Sequence, residues 1–179
     1  MEIDFEDSAM AEEFMGQHHR QRISSPAHPQ SFSSPPTQDG ERGPIVGLFA
    51  GSFDLCHAGH VQALAFAKQY CDEVIAALQV DASKERLDKR RPVQSMFERW
   101  LQLKSCRFVD EIIPYEDETD LYNLLATLNI NIRFIGADWY NKDITCQDIC
   151  KVRNIQIMWV PRYHSYSTTE LRARVCDMK

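Results

Sequence analysis

From residue 44 onward, short apolar runs alternate with longer segments whose apolar residues have helical spacing. The short runs predict buried strands, and the longer segments predict amphipathic helices between them. Strands that alternate with helices need crossover connections, which make the strands parallel and cover the sheet with helices on both faces. We therefore predict an α/β fold with a five-stranded parallel sheet. The predicted strands are 45–50, 74–80, 109–113, 132–136 and 155–160, and the predicted helices are 59–70, 94–105, 118–128, 144–152 and 168–176.

The first 43 residues differ in composition from the rest of the chain. They are acidic at the start and become rich in serine and proline towards residue 43. Such a segment cannot bury enough apolar surface to offset the entropy lost on ordering. We predict a disordered tail over 1–43 and a single domain over 44–179, which is long enough to bury a core.

The distribution of charge argues against a nucleic-acid partner. The formal net charge is −6, and the tail carries eight acidic and three basic residues. The predicted domain has 18 acidic and 17 basic residues and is nearly neutral. Nucleic-acid binding usually leaves a strongly basic balance, so small anionic substrates fit this sequence better.

The cysteines and the hydropathy pattern are typical of a cytoplasmic protein. The six cysteines lack the spacing of a zinc site, so free thiols are expected in a reducing compartment. Cys146 and Cys150 are four residues apart on a predicted helix, where they would either pack in the core or meet a metal, and we favour packing. No apolar stretch approaches the roughly 18 residues of a membrane span, and the acidic start does not resemble a signal peptide.

The most informative local feature is the segment 51–60, Gly-Ser-Phe-Asp-Leu-Cys-His-Ala-Gly-His, which joins the first predicted strand to the first helix. A helix start exposes unpaired N–H groups and the positive end of the helix dipole, and both attract anions. His57 and His60 share one helix face beside the hydroxyl of Ser52 and the open backbone of Gly51. This combination predicts phosphate chemistry, although histidines that only cap or pack the first turn would show the same spacing. Asp54 either joins the site or caps the helix.

A basic loop follows the second predicted strand. It contains Lys89, Arg90 and Arg91, and the next predicted helix carries Arg99. A mobile Lys/Arg loop can close over a triphosphate and neutralise its charge. We predict contacts from Lys89 and its basic neighbours, and a solvated surface loop is the alternative.

The loop after the fourth predicted strand begins Gly136-Ala-Asp-Trp139. Gly136 lets a ligand approach the backbone, the carboxylate of Asp138 can accept from an exocyclic amine, and Trp139 can stack on a ring. These properties predict a nucleobase pocket. Trp139 as simple core filling is the alternative.

After the fifth predicted strand, Ser167-x-x-Glu170 has the pattern of a capping box that opens the last helix. Arg162 precedes it, and Thr168 adds a hydroxyl. A second helix N-terminus would then face the same crevice as the first, since parallel strands end at one edge of the sheet. Two anion sites in one cleft fit a triphosphate.

The string G-[TS]-F-D-x-x-H-x-G-H in 51–60 resembles the signature of the nucleotidyltransferase superfamily, which has a Rossmann-like fold. From 45 to 176 the sequence resembles the glycerol-3-phosphate cytidylyltransferase family. The segments Val109–Pro114, Gly136–Trp139 and Pro161–Arg162 with Ser167–Thr169 occur in that family's order and at roughly its distances. The sequence departs from the family at Ser52, usually threonine, at Asp88, where a lysine is expected, and between Arg162 and Ser167.

The resemblance implies a role for each matching residue. His57, His60 and Arg162 would be catalytic, and Mg²⁺ would be held mainly by the triphosphate of CTP, without a protein metal site. A homodimer is implied as well. Nucleotide and phosphate contacts would come from Gly51, Ser52, Asp54, Lys89, Arg90, Arg99, Gly136, Asp138, Trp139, Ser167 and Thr168.

The implied reaction is direct transfer of CMP from CTP to a small phosphorylated alcohol such as glycerol 3-phosphate, with release of pyrophosphate. No Ser/His/Asp or Cys/His nucleophile is visible, so catalysis would consist of positioning and charge stabilisation. Two alternatives stay open: an adenylyltransferase that uses ATP on the same scaffold, and a non-catalytic nucleotide-binding module.

Overall fold

The computed structural model describes residues 43–86, 89–162 and 165–177. Residues 1–42 of the predicted tail (1–43) and Asp88 lie outside the described residues. Within them the strands form one five-stranded parallel sheet in the order β3-β2-β1-β4-β5, which confirms the predicted Rossmann-like α/β fold. The strands are β1 (Val46–Gly51), β2 (Glu73–Gln79), β3 (Glu111–Tyr115), β4 (Ile132–Gly136) and β5 (Gln156–Val160).

Helices connect the strands, and local side chains define where several of them begin. A capping box starts the second helix, because Ser95 accepts from the N–H of Glu98 and the Glu98 carboxylate accepts from the N–H of Ser95. Asp117 caps the third helix by accepting from the N–H of Asp120. The helices are α1 (Ala58–Lys68), α2 (Met96–Lys104), α3 (Glu118–Thr127), α4 (Gln147–Val152) and α5 (Thr168–Asp177).

Both faces of the sheet are covered. On β2, Ile75 and Ala77 pack into a core cluster with Leu121 and Leu125 of α3. The alternate residues Val74, Ala76 and Leu78 point to the opposite face and are also fully buried. Burial on both faces explains why the strand reads as one apolar run instead of an alternating pattern.

Two elements differ from their predicted bounds in ways that local residues explain. The fourth helix was expected from 144, but Cys146 has a left-handed φ of 57° and the helix begins only at Gln147. The third strand ends at Tyr115 and includes Pro114. β3 lies at the edge of the sheet, where a proline without an N–H is tolerated.

The strand order places a topological switch point between β1 and β4, since the chain moves from β1 to β2 on one side and later returns to add β4 on the other. Ligands of open parallel sheets bind beyond the carboxyl ends of the strands at such a point. None of the helices in the described part of the chain is long and apolar enough to span a membrane.

Candidate active site

A cleft of about 410 Å³ opens where the carboxyl ends of the strands meet, and loops after all five strands contribute to it. Its volume lies in the range of small-molecule sites, about 300–1,000 Å³. Most of the predicted site residues line this cleft: Gly51, Ser52, His57, His60, Lys89, Gly136, Asp138, Trp139, Arg162, Ser167 and Thr168.

The two histidines lie together at the start of α1. Their rings stack with centroids 3.9 Å apart and an interplanar angle of 26°. His57 is the N-cap, and its Nδ1 accepts from the N–H of Gly59 at 3.1 Å. A neutral imidazole that accepts at Nδ1 carries its proton on Nε2. His57 therefore caps the helix and also offers an N–H donor beside the exposed helix dipole.

His60 is held in its neutral form. Its ring packs against Phe53 at a centroid distance of 5.4 Å. Burial, together with the neighbouring His57, lowers the pKa of His60 to about 3. At neutral pH the ring can donate a hydrogen bond to a phosphate oxygen without first losing or gaining a proton.

This lowered pKa predicts a pH dependence of stability. The unfolded chain binds a proton at His60 below about 6.5, whereas the folded chain does so only near 3. The free energy of unfolding should therefore fall as the pH falls from about 6.5 towards 3. Urea unfolding at about pH 7 and about pH 4.5 measures this loss. His60→Asn should flatten the dependence, and equal slopes in the variant and wild type would contradict the prediction.

The backbone between β1 and α1 has an unusual conformation. Phe53 and Leu55 have left-handed φ values of 49° and 52°, which side chains of this size rarely adopt. Such strained residues persist only where the surrounding structure fixes them. The Leu55 N–H donates to the side chain of Gln94 at 2.7 Å, so one of the two is tied directly to the segment before α2.

Asp54 also stabilises the turn between β1 and α1. Its carboxylate accepts from the N–H groups of Val93 and Gln94 at 3.1 and 3.0 Å and from the guanidinium of Arg172 at 2.6 Å. Burial opposes ionisation of Asp54, but the Gln94 and Arg172 hydrogen bonds outweigh it and keep the pKa below its ordinary value. The helix-cap interpretation of Asp54 was wrong, because His57 caps α1. Asp54 is absent from the cleft lining, and its membership of the site stays a prediction.

A second helix N-terminus faces the cleft, as predicted. The Ser167 Oγ accepts from the N–H of Glu170 at 3.1 Å at the start of α5. Thr168 donates from Oγ1 to the carbonyl of Asp54 at 3.0 Å. This bond joins the start of α5 to the turn between β1 and α1 that leads into His57, which we call the histidine turn. The N-termini of α1 and α5 therefore line one cleft.

Arg162 and Asp138 connect the loops after β5 and β4. Arg162 Nη1 lies 3.9 Å from Asp138 Oδ2, and its Nη2 donates to the carbonyl of Tyr166 at 3.0 Å. Trp139 lines the cleft and is absent from the buried core. Its ring lies 5.4 Å from Lys142 Nζ and 5.8 Å from the Arg86 guanidinium. These loops therefore offer an aromatic face, a carboxylate and cations at one end of the cleft.

Comparison with known proteins settles the family. The sequence model of the family described as cytidylyltransferase-like matches residues 48–174. The chain belongs to the cytidylyltransferase-like family. The nucleotidyltransferase resemblance seen in the sequence is thereby confirmed for this family member.

Individual relatives of the cytidylyltransferase-like chain differ in length. Glycerol-3-phosphate cytidylyltransferase from Bacillus subtilis is 31% identical over 72% of this chain and 95% of that protein. The bifunctional protein HldE from Nitrobacter winogradskyi is 32% identical over 75% of this chain, but the match spans only 28% of HldE. A solved structure, the lipopolysaccharide core biosynthesis protein from Thermoplasma volcanium, has a TM-score of 0.57 and 21% identity, covering 68% of this chain and all of that one. The last match shows a common fold alone.

Arg99 of this cytidylyltransferase-like chain is not placed to hold a phosphate, which corrects the sequence prediction. Its side chain is only 1% exposed. The guanidinium donates to the backbone carbonyls of Gln94, Ser52, Gln79 and Val80 at 2.6–3.2 Å. Arg99 thus joins the ends of β1 and β2 to the segment before α2.

The basic loop after β2 contributes less than predicted. Lys89 is exposed and lines the cleft, whereas Arg90 is exposed and absent from its lining. Arg91 makes a distant ion pair with Asp81 at 4.0 Å. Of the three favoured cations, only Lys89 lines the cleft in the described part of the chain.

Sequence reasoning missed a group of polar residues at the other end of the cleft. Gln79, Tyr115, Glu118 and Arg133 line it at the ends of β2 and β3, the start of α3 and within β4. An arginine inside an apolar strand and a glutamine at the last position of a buried strand were the available signals. Both residues are only 5% exposed.

The described residues contain no group of three histidine, cysteine, aspartate or glutamate side chains that could hold a metal ion. Cys150 is buried with its Sγ 3.9 Å from Arg133 Nη1, and Cys146 Sγ lies 3.7 Å from the carbonyl of Glu118. These contacts fit the packing interpretation of the cysteine pair.

Proposed function

We propose that this chain transfers CMP from CTP to a small phosphorylated alcohol such as glycerol 3-phosphate and releases pyrophosphate. The observation that carries the proposal is the pair of stacked histidines at one helix N-terminus, with a second helix N-terminus and Arg162 on the same cleft. Oriented N–H donors and cations of this kind stabilise charge on phosphoryl oxygens. The match to almost the full length of the Bacillus subtilis cytidylyltransferase supports the choice of CTP.

The mechanism requires no covalent enzyme intermediate. An oxygen of the acceptor phosphate attacks the α-phosphorus in line, the bond to the β-phosphate oxygen breaks, and pyrophosphate leaves with the bonding electrons. A phosphate oxygen is already anionic, so the acceptor needs no strong base. His57 donates from Nε2, neutral His60 and Arg162 stabilise the developing charge, and Lys89 holds the outer phosphates.

Mg²⁺ is proposed as the companion of the triphosphate. Mg²⁺ commonly binds through substrate phosphates and waters, with few protein ligands. The described residues provide no ligand cluster of their own, and Asp54, the buried carboxylate nearest the histidine turn, is engaged by Val93, Gln94 and Arg172. When bound, the ion would neutralise charge on the nucleotide, while the chain supplies the orientation.

Base recognition is assigned to the loop 136–139. Gly136 lets the nucleotide approach the backbone, Asp138 can accept from an exocyclic amino group, and Trp139 offers a partly buried ring on the cleft. Cytosine and adenine both carry such an amino group. ATP is therefore the second candidate nucleotide, because the same contacts serve an adenylyltransferase.

Further features of the proposal concern the whole protein. We propose a catalytic domain over 44–179 that works as a cytoplasmic homodimer on small molecules, without nucleic acid. The described cysteines are all free thiols, in keeping with a reducing compartment. Phe97 and Leu101, four residues apart on α2, are 67% and 54% exposed and offer an apolar surface for a second copy.

Pyrophosphate release by the purified chain with Mg²⁺ tests the proposal. CTP and ATP are offered separately against a panel of phosphorylated alcohols headed by glycerol 3-phosphate. We expect release with CTP and a phosphorylated alcohol, and little with ATP. Release with ATP alone would move the assignment to an adenylyltransferase. If the chain binds CTP but releases no pyrophosphate with any of the acceptors, it is a non-catalytic nucleotide-binding module and the proposed transfer is refuted.

A further inference from the structure

Two thiols share a second depression on the molecule, which we call the thiol pocket. Cys56 and Cys106 both line it, and its volume is about 420 Å³. The thiol pocket lies between the start of α1, the end of α2 and the turn that leads into β3, and it shares no lining residue with the active-site cleft. Because the two cysteines are far apart in sequence, it is the fold that brings them to one place.

The other four cysteines have different surroundings. Cys71 and Cys150 are buried, and Cys176 is exposed on α5. Cys146 is half-buried, and its Sγ lies 3.7 Å from the carbonyl of Glu118. All four lie within the described residues, and none of them lines the thiol pocket. Cys56 and Cys106 therefore combine partial exposure with a shared pocket.

The wall of the thiol pocket carries a positive charge beside Cys106. Arg107 follows Cys106 in sequence, and its guanidinium lies 5.0 Å from the centroid of the Phe108 ring. Arg107 and Phe108 both line the pocket. Thiols that are open to solvent and close to a cation are the ones that react with oxidants. Burial raises the pKa of Cys56, and the nearby Cys106 adds to this shift, so Cys56 keeps its proton. These surroundings favour Cys106 as the first thiol to react.

Both cysteines lie in turns and not inside helices or strands. Cys56 lies between β1 and α1, and Cys106 lies between α2 and β3. The carbonyl of Cys106 accepts from the N–H of Val109 at 3.1 Å within its turn. A disulfide requires a sulfur–sulfur distance of about 2.05 Å and Cα atoms within roughly 7 Å of each other. Connecting segments adjust to such limits more readily than helices and strands do.

We propose that Cys56 and Cys106 form a reversible disulfide when the chain meets hydrogen peroxide, and that this disulfide displaces His57. Disulfides in a reducing compartment are typically transient and sense redox conditions. The expected loss of turnover rests on the proposed function, whereas the disulfide and the displacement do not.

The reaction consumes one hydrogen peroxide for each disulfide. The Cys106 thiolate attacks one peroxide oxygen, the oxygen–oxygen bond breaks, and hydroxide leaves and takes up a proton to give water. The sulfur of Cys106 is thereby oxidised to a sulfenic acid. The Cys56 sulfur then attacks the Cys106 sulfur, the sulfur–oxygen bond breaks, and a second water leaves with the Cys56 proton. A dithiol reductant reverses the process by thiol–disulfide exchange.

The position of Cys56 connects the thiol pocket to the proposed chemistry. Cys56 precedes His57, which caps α1 and stacks on the ring of His60. On its other side, Leu55 has a left-handed φ of 52° and donates from its N–H to Gln94. A bond that draws the Cys56 sulfur towards Cys106 therefore pulls on the backbone that positions His57. A displacement of about 1 Å at a catalytic group can cost about 10²-fold in rate.

Treatment of the full chain with hydrogen peroxide tests the proposal by three measurements. Mass spectrometry of peptides from the unreduced chain should find a disulfide between Cys56 and Cys106. The NMR signals of the His57 and His60 rings should shift on oxidation, which is a readout that needs no turnover. Pyrophosphate release should fall by about 10²-fold and return with dithiothreitol.

Two variants locate the effect in the thiol pocket. Cys106→Ser removes one thiol at nearly the same size, so it should keep the turnover of the reduced wild type and lose the response to peroxide. Cys176→Ser, at an exposed position of α5, is the matched control and should respond like the wild type. If Cys106→Ser fails to fold, Cys56→Ala removes the other thiol and should abolish the ring shifts.

Specific outcomes overturn the inference. Absence of the disulfide in the folded, peroxide-treated chain would do so, as would a disulfide from Cys56 or Cys106 to another copy of the chain. A disulfide that leaves the histidine signals unchanged, or the turnover of an active chain unchanged, would do so too, as would reversible inhibition that persists in Cys106→Ser. A disulfide with shifted histidine signals in a chain that releases no pyrophosphate even when reduced would support the thiol pair and refute the proposed transfer alone.

Discussion

Replacing His60 with alanine is expected to slow pyrophosphate release by about 10²–10³-fold, the usual cost of one preorganised donor at a developing charge. The neutral ring of His60 stacks on His57 and lines the cleft, so its loss removes a donor and also frees its neighbour. His57→Ala should have an effect of similar size. Because these donors act mainly in the transition state, kcat should fall far more than the affinity for CTP.

The control for this prediction is the next residue along α1. Val61 is 37% exposed, and Val61→Ala should leave turnover unchanged. Circular dichroism and CTP titration establish that each variant is folded and binds nucleotide. Turnover close to wild type in either histidine variant would remove the two imidazoles from the proposed mechanism.

The largest effect on stability is expected from Arg99→Met. The substitution keeps an apolar stem of similar length but leaves four backbone carbonyls without their donor. Each unsatisfied buried group costs about 1–3 kcal/mol, so the loss of four donors should lower the free energy of unfolding by at least about 4 kcal/mol. Urea unfolding followed by tryptophan fluorescence measures the change.

The same experiment separates a structural arginine from a phosphate ligand. Arg174→Met, on an exposed position of α5, is the matched control and should stay within about 0.5 kcal/mol of wild type. Should Arg99→Met unfold at the wild-type urea concentration yet lose affinity for CTP, Arg99 would be a phosphate ligand after all, as its position in the sequence suggested.

The histidine turn and the order of elements were predictable from sequence because both depend on local signals. A glycine-rich turn between an apolar strand and an amphipathic helix is visible within about fifteen residues, and periodicity marks the other elements. The Ser167 cap was readable in the same way, since its partner Glu170 lies three residues away. Helix α4 begins later than predicted because Cys146 is left-handed. That conformation has no reliable signal in the sequence.

The roles of Arg99 and Asp54 were not predictable, because their partners are distant in sequence. Arg99 reaches the carbonyl of Ser52, 47 residues earlier, and Asp54 reaches the N–H of Gln94, 40 residues later. A charged residue near a predicted phosphate site suggests a phosphate ligand. Only the fold shows that Arg99 and Asp54 instead form hydrogen bonds with backbone groups. Gln79 and Arg133 were missed for the complementary reason: within apolar strands they had been assigned to the sheet, while the fold turns them into the cleft.

The hydrogen bond between Asp54 and Arg172 spans 118 residues and has a consequence for how this enzyme is made. Ribosomes build proteins from the N-terminus, so the turn that carries His57 emerges long before helix α5. Until Arg172 and Thr168 leave the exit tunnel, the Asp54 carboxylate lacks its guanidinium partner and the Asp54 carbonyl lacks the hydrogen bond from Thr168. A growing chain therefore holds both histidines early, but their arrangement for phosphate chemistry is completed only after α5 has been synthesised.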